Sequence, residues 1–502
     1  MKISKLTRTA SVIALAALAA SACDDGLTDL NENPNSPANV AAPLLFSAGT
    51  KGVVDRAFGS TFFWDYSNAW VQHWAKIQYT TEDRYGLRPA ANDAHWTGFY
   101  SGSTLGDGGL IDLHRVVLKA DSLNQPGWKA QGLTMRTFTI AIVTDTWGDV
   151  PYSAALKGIE ALDSKPEAVQ PTYDTQESIY RQMLADLRTS NQLLVPGPAV
   201  IGSEDLIYNG NAARWRRFAN SLRLRYSMRL SDVDAITSID AAQEFRDGLA
   251  AGVFAANADN AMLRYATVEP SNNQVNEIFQ TRLDHTISKT MVDTLKALRD
   301  PRLPVYAELP AVHAGKDVND LTLYRGQTNG AASSDAPFAQ LSMLGQRFLA
   351  PDAPAVLMSY AEVLFLRAEA AARGWTTENA AQLYRSAIRA NMEYYGIRDA
   401  AIDAYLAQPR VQLPAGREAQ IAQIQLQKWI ALFDNGAESW AEYRRTGYPQ
   451  LKPGPRATFN SGVLPTRFSY PNVEAAVNAA NRDAAAGRQN GANMRTPLWW
   501  AQ

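Results

Sequence analysis

The chain has 502 residues, among them 16 Phe, 12 Trp, 20 Tyr and a single Cys, and its 48 basic and 50 acidic residues leave a formal charge of −2. One Cys excludes an internal disulfide framework and a cysteine-cluster metal site. The balanced charge argues against nucleic acid as the main partner, which needs a concentrated basic surface, and the length is ample for a large core.

Residues 1–22 read MKISKLTRTASVIALAALAASA, with Lys2, Lys5 and Arg8 ahead of an apolar run over 12–20. That run falls short of the roughly 20 apolar residues that cross a bilayer and suits the h-region of a secretory signal peptide. Ala20, Ser21 and Ala22 lead directly into Cys23, and the stretch resembles a bacterial lipobox, with Ala20 where Leu is the commoner residue. The expectation is a signal peptide over 1–22 and lipidation of Cys23, which anchors the protein to a membrane without spanning it. Asp24 and Asp25 follow, then a Pro/Asn-rich stretch over 31–37 that disfavours helix and strand. Residues 23–45 therefore read as a lipidated flexible tether, and 46–502 as one domain. Acids behind a lipidated Cys also resemble a surface-export signal.

The first strong pattern of the domain is aromatic. Phe63, Tyr66, Trp70 and Trp74 step by three or four and predict one buried helix face. The polar stretch 80–95 reads as a loop, so Tyr79, Tyr85 and Trp96, in or beside it, are expected to face a ligand, with Trp74 as a further candidate. Aromatic rings with polar neighbours suit partly wet sugar sites, where a ring stacks on the C–H face of a sugar.

Further along, Gly148 and Pro151 should end a helix, with Trp147 and Tyr152 pinning the turn. Trp215, Phe218, Ala219, Leu222, Tyr226 and Leu230 recur at helical spacing, as do Leu357, Tyr360, Ala361, Leu364, Phe365 and Ala368. Segments 380–395 and 421–433 follow the same rule. Arg214, Arg216, Arg217, Arg223, Arg225 and Arg229 make one helix basic, and a solvated or carboxylate-paired face is the expected use. Arg444 and Arg445 beside Glu438 and Glu442 predict guanidinium–carboxylate contacts between helices. Long Gly/Pro/Asn-rich connections run over 195–210, 269–276, 309–337 and 450–471, and loops of that length are often functional. Tyr324, Asn272 and Asn273 are binding candidates within them. The fold class is thus all-α, mainly helical, with helix pairs in a solenoid-like layer.

No catalytic motif is present, and the five His show no ligand-like spacing. Glu362 and Glu369 share a helix, about 10.5 Å apart along its axis, outside the roughly 5–9.5 Å of a glycosidase pair. No catalytic residue, metal or cofactor is expected.

Several segments together resemble the SusD/RagB family of outer-membrane nutrient-binding lipoproteins, in its SusD-like branch. They are LNENPNSP (30–37), DTWGDVPY (145–152), PTYDTQE (171–177), DLIYNG (205–210) and FANSLRLRYSMR (218–229). Then come DPRL (300–303), MSYAEVLF (358–365), AEA (368–370), GW (374–375), GAESWAEYRRTGYP (436–449), RFSYP (467–471) with Glu474, and WW (499–500). The resemblance implies tetratricopeptide-like helix pairs carrying a ligand face of long irregular loops. It implies an oligosaccharide or other nutrient polymer as ligand, and a SusC-like, TonB-dependent outer-membrane transporter as partner. The expected location is the outer membrane, lipid-anchored and facing the cell surface. A helical glycan-degrading enzyme and a non-binding structural partner of the transporter are the alternatives.

Overall fold

The computed structural model describes residues 40–102, 108–158, 169–233 and 237–501. The expected signal peptide, Cys23 and the tether as far as residue 39 lie outside the described residues.

The described chain is mainly helical. Helix α1 (Ala42–Phe58) opens it, starting inside the stretch read as tether, with Pro43 in its first turn, where the missing N–H costs nothing. A wound segment then carries the aromatic run: a π-helical turn over Phe62–Ser67 passes into Asn68–Trp70. Phe63, Tyr66 and Trp70 are buried as the periodicity predicts, but Trp74 belongs to a short strand, β1 (Trp74–Lys76). Helices α2 (Pro89–Ser101), α3 (Leu110–Ser122), α4 (Pro126–Trp147), α5 (Gln176–Leu194), α6 (Ala212–Arg229) and α7 (Ala241–Ala250) follow. From α3 onward each packs on the next, giving the tetratricopeptide-like layer.

The second half interrupts this layer before resuming it. Strand β2 (Ala261–Leu263), helix α8 (Gln274–Thr281), strand β3 (His285–Ile287), helix α9 (Lys289–Ala297) and strand β4 (Ala355–Met358) lead to α10 (Tyr360–Arg373) and α11 (Ala380–Tyr394). Helices α12 (Asp399–Leu406), α13 (Arg417–Ala431), α14 (Gly436–Thr446), α15 (Asn472–Val477) and α16 (Ala479–Arg488) close the chain. The strands form two antiparallel ribbons, β1 with β3 and β2 with β4. Helix α10 packs against α6, α11 and α13, which explains why it is buried on nearly every side.

Local chemistry sets the helix ends. Thr175, Asn211, Asp240, Ser359, Asn379 and Asn435 each accept a backbone N–H of the first turn of α5, α6, α7, α10, α11 and α14, and such a cap contributes about 1 kcal/mol. Gly447 ends α14 at φ +71°, a left-handed conformation that glycine adopts without a Cβ penalty.

Buried ion pairs join the helices. Arg225 of α6 forms a two-pronged contact with Glu362 of α10, at 2.7 Å to each carboxylate oxygen. Arg229, one turn on, reaches Glu438 and Glu442 of α14 at 2.7 Å each. Arg445 holds Glu369 and Glu442 at 2.7 Å, and Lys428 of α13 adds a contact to Glu442 at 2.9 Å. The basic face of α6 is therefore carboxylate-paired, and Glu362 and Glu369 pack helices together. Arg444 departs from expectation. Its guanidinium lies 3.6 Å from the Trp440 ring centroid and donates to the carbonyls of Asp145 and Thr466 rather than to a carboxylate.

Tryptophans fasten the rest of the core through both ring and N–H. Trp70, Trp440 and Trp147 surround Phe468, with centroids 5.2, 5.9 and 5.6 Å from it. Trp147 donates to Asn92 Oδ1 and Trp440 to the Pro465 carbonyl, each at 2.9 Å. Among the described residues, no helix is long and apolar enough to cross a membrane.

Candidate functional site

Pairing of β1 with β3 sets Lys76 opposite His285, and both converge on one carboxylate. Asp65, in the π-helical turn, accepts from Lys76 Nζ at 2.8 Å and from His285 Nε2 at 2.9 Å through Oδ1. Its Oδ2 takes Arg88 Nη2 at 2.9 Å. Glu82 completes the cluster, with Lys76 Nζ at 2.6 Å on one oxygen and Arg88 Nε on the other. Burial alone would raise the Asp65 pKa, but the hydrogen bond and charge of His285 together with Lys76 hold it well below the usual carboxylate range.

The turn carrying Glu82 is pinned from below. Trp70 Nε1 donates to the Glu82 carbonyl at 2.9 Å. Asp83, fully buried, accepts from Asn329 Nδ2 at 2.8 Å and from the Lys76 N–H at 3.2 Å. Burial pushes the Asp83 carboxyl up to about 7, against the hydrogen bonds of Asn329, Gly330 and Lys76.

These groups floor a cleft of about 530 Å³ that is also lined by Thr61, Trp64, Tyr79, Thr81, Ile278, Phe279, Arg282 and Asp284. Tyr79 stands at its rim, 68% exposed, on a backbone with φ +51°. A bulky side chain in that region is strained, and such strain persists where surrounding structure imposes it. The Arg282 guanidinium lies 5.3 Å from the Tyr79 ring centroid and is held by Asp284, which also accepts from the Gln78 amide. An exposed ring, a second aromatic wall and a floor of fixed donors and acceptors together suit a polyhydroxylated ligand.

Of the binding candidates read from sequence, Tyr79 alone reaches this cleft. Trp96 lies on α2, which begins at Pro89 inside the stretch read as loop, and it is buried against Trp147, 5.4 Å between centroids, donating to Glu474 Oε1 at 3.2 Å. Tyr85 is buried as well, on a turn with φ +72°. Trp74 packs edge-on to Phe63 at 5.2 Å and is fully buried. Tyr324 is buried with its hydroxyl on the Val318 carbonyl at 2.8 Å. Asn273 caps α8 and donates to the Ala353 carbonyl at 2.8 Å, and Asn272 beside it is buried. These five positions serve the core or the local backbone, and Asn272 is buried away from the cleft.

Trp64, Asp65, Lys76, Glu82, Arg88, Arg282 and His285 were not legible as site residues. The only sequence signal was the density of aromatic and charged residues over 64–88, and five of the thirteen cleft residues arrive from about 200 residues later, at 278–285. A second cleft, of about 630 Å³, lies between the start of α5 and the C-terminal segment and includes Trp499, Glu177 and Arg488. Several of its polar groups bond within the protein: Arg488 to Asp149 at 2.9 Å, Glu177 to Arg181 at 3.0 Å, and Gln176 Oε1 to the Trp499 N–H at 3.0 Å.

Comparison with known proteins follows the same lines. A SusD-like family model, described as "Starch-binding associating with outer membrane", matches residues 34–471. A comparison with curated proteins gave no match. Among solved structures, the chain is similar to a chitin-binding protein (28% identity, TM-score 0.77, covering 91% of this chain and 99% of that one). It is similar also to a SusD homolog from Bacteroides fragilis (26%, TM-score 0.78, 92% and 100%) and to one from Bacteroides ovatus (26%, TM-score 0.77, 92% and 100%).

Proposed function

The chain belongs to the SusD-like family of outer-membrane nutrient-binding proteins, and on that premise we propose that its cleft at Tyr79 captures an oligosaccharide for delivery to a SusC-like, TonB-dependent transporter. Members of the family are binding proteins rather than enzymes, and this chain is one of them. The observation that carries the reading is Tyr79. Its ring stands exposed at the mouth of a polar cleft with Arg282 over one face, which leaves the other face open for a sugar to stack on. Trp64 on the cleft wall supplies a second apolar surface, and Arg88, held by the sealed Asp65 and Glu82, supplies hydrogen-bond donors in a fixed position. Delivery then follows from hinge motion of the protein as a lid on the barrel. Lipidation at Cys23 holds it at the cell surface, and Cys23→Ser should release the protein from membranes that lack the transporter.

Titration of the purified protein with a panel of oligosaccharides tests the reading: Tyr79→Ala should weaken binding about tenfold with an unchanged Tm. Equal affinity in the variant would count against the cleft. The burial of Tyr85 and Trp96 favours a second reading, a structural partner that binds no ligand. The exposure of Tyr79 opposes it, and a panel with no binding member would establish it.

A further inference from the structure

The ionised side chains of the cleft are layered by sign. Three carboxylates line it, and their side chains are nearly sealed: Asp65 6% exposed, Glu82 4% and Asp284 7%. Lys76, at 4%, is sealed with them. The two guanidiniums are not: Arg88 is 49% exposed and Arg282 53%. The three carboxylates thus face Lys76, Arg88 and Arg282, with His285 beside them, but the charge that a ligand touches is positive.

The guanidiniums also keep donors to spare. A guanidinium carries five N–H groups in a planar fork. Arg88 turns Nε and one Nη inward, to Glu82 and Asp65. Arg282 turns one Nη to Asp284 and sits over Tyr79, 5.3 Å from its ring centroid. Both forks are thus fixed by a buried carboxylate before any ligand arrives, which reduces the entropy lost when they engage one. Arg282 also occupies one face of Tyr79, so a sugar stacks on the other face with a guanidinium close to its substituents.

We infer that the cleft selects acidic oligosaccharides, whose carboxylate or sulfate groups dock on Arg88 and Arg282 while a ring stacks on Tyr79. The inference rests on the oligosaccharide-binding reading and names the chemical class within it. Planar guanidinium forks match carboxylate and sulfate oxygens two at a time, whereas a neutral sugar would satisfy the same donors with single hydroxyl bonds.

Calorimetric titration of the full chain in detergent tests this with matched pairs: oligogalacturonate against its methyl ester, a sulfated galactan oligosaccharide against its desulfated form, and chitohexaose and maltohexaose as neutral references. The acidic member of at least one pair should bind at least about tenfold more tightly than its neutral counterpart and than both references. That advantage should shrink as NaCl rises from about 50 to 500 mM, because exposed charges are screened. Arg88→Gln removes a partner of two buried carboxylates and is at risk of misfolding, so Arg282→Gln is the deciding variant. It should lose the acidic preference while keeping its Tm. Neutral members binding as tightly as acidic ones, with binding lost in Tyr79→Ala, would overturn the acidic selection and leave the sugar-binding reading standing. An acidic preference that persists unchanged in Arg282→Gln would overturn the role of the layered charge. If no saccharide bound at all, the underlying reading would fail, and this one with it.

Discussion

The network joining Arg225 and Arg229 to Glu362, Glu438 and Glu442, and the cluster joining Lys76 and Arg88 to Asp65 and Glu82, contain the same kinds of ion pair in opposite settings. In the first, both signs are sealed between α6, α10, α13 and α14. In the second, the acids are sealed while Arg88 remains half in solvent. Ion pairs closed on both sides can only hold helices in register, because no ligand can reach them. A pair open on its cationic side keeps spare donors and a fixed geometry, which recognition requires. The type of contact therefore says little about its use, and the direction in which it opens says much more.

The contrast can be broken most forcefully from the sealed side. Glu442→Ala leaves Arg229, Lys428 and Arg445 short of a partner in the core. Removing one member of a buried pair costs about 3–5 kcal/mol, so chemical denaturation should show a loss of that size, or insoluble expression. A loss under about 1 kcal/mol would mean that the network is hydrated and relaxed. Trp96→Ala belongs to the same class. Truncating a buried Trp costs about 3–5 kcal/mol, and its Tm should fall well below that of Tyr79→Ala. Similar melting of the two variants would place Trp96 at the surface after all.

On the open side the expected effects are on ligand, not stability. Tyr79→Ala should change unfolding free energy by no more than about 0.5 kcal/mol, while affinity falls. A large stability loss would mean that the ring is packed in solution.

A further effect on the sealed side is a pH dependence. Burial raises the Asp83 carboxyl from 3.8 to about 7, so between about pH 4 and 7 the folded state holds a proton that the unfolded state has released. Folding is then favoured by acid in that window, and the contribution of Asp83 to stability declines as pH rises through it. The denaturation midpoint of the native chain should fall across that window relative to Asp83→Asn, whose midpoint lacks this contribution. Parallel slopes would show that Asp83 titrates normally.

Much of the scaffold could be read from the sequence because its signals are local. The apolar spacing of α6 and α10 follows from side chains a few positions apart, whereas Glu362 for Arg225 and Glu438 for Arg229 lie 137 or more residues away. The loop assigned over 80–95 failed for a physical reason. The inward side of α2 mixes Asn92, His95 and Gly98 with Trp96 and Phe99, and carries no aliphatic residue. Asn92 bonds the Ser469 carbonyl at 2.9 Å and His95 bonds Thr61 at 3.0 Å, across 377 and 34 residues. A helix that buries polar groups on distant partners shows no amphipathic period, so Trp96 looked loop-borne. The cleft was hidden in the same way, since a three-residue ribbon brings Lys76 to His285 and has too few residues to show alternation. Tyr79 was legible as a candidate, but not Arg88 or Arg282 beside it.

The difference between a sealed scaffold and an open cleft is tested most directly by a crystal structure of the protein with a bound hexasaccharide from the titration panel. The account predicts sugar rings on the free face of Tyr79, with substituents within hydrogen-bonding distance of Arg88 and Arg282. A ligand seated instead at Trp499, or anywhere that leaves Tyr79 uncovered, would contradict it.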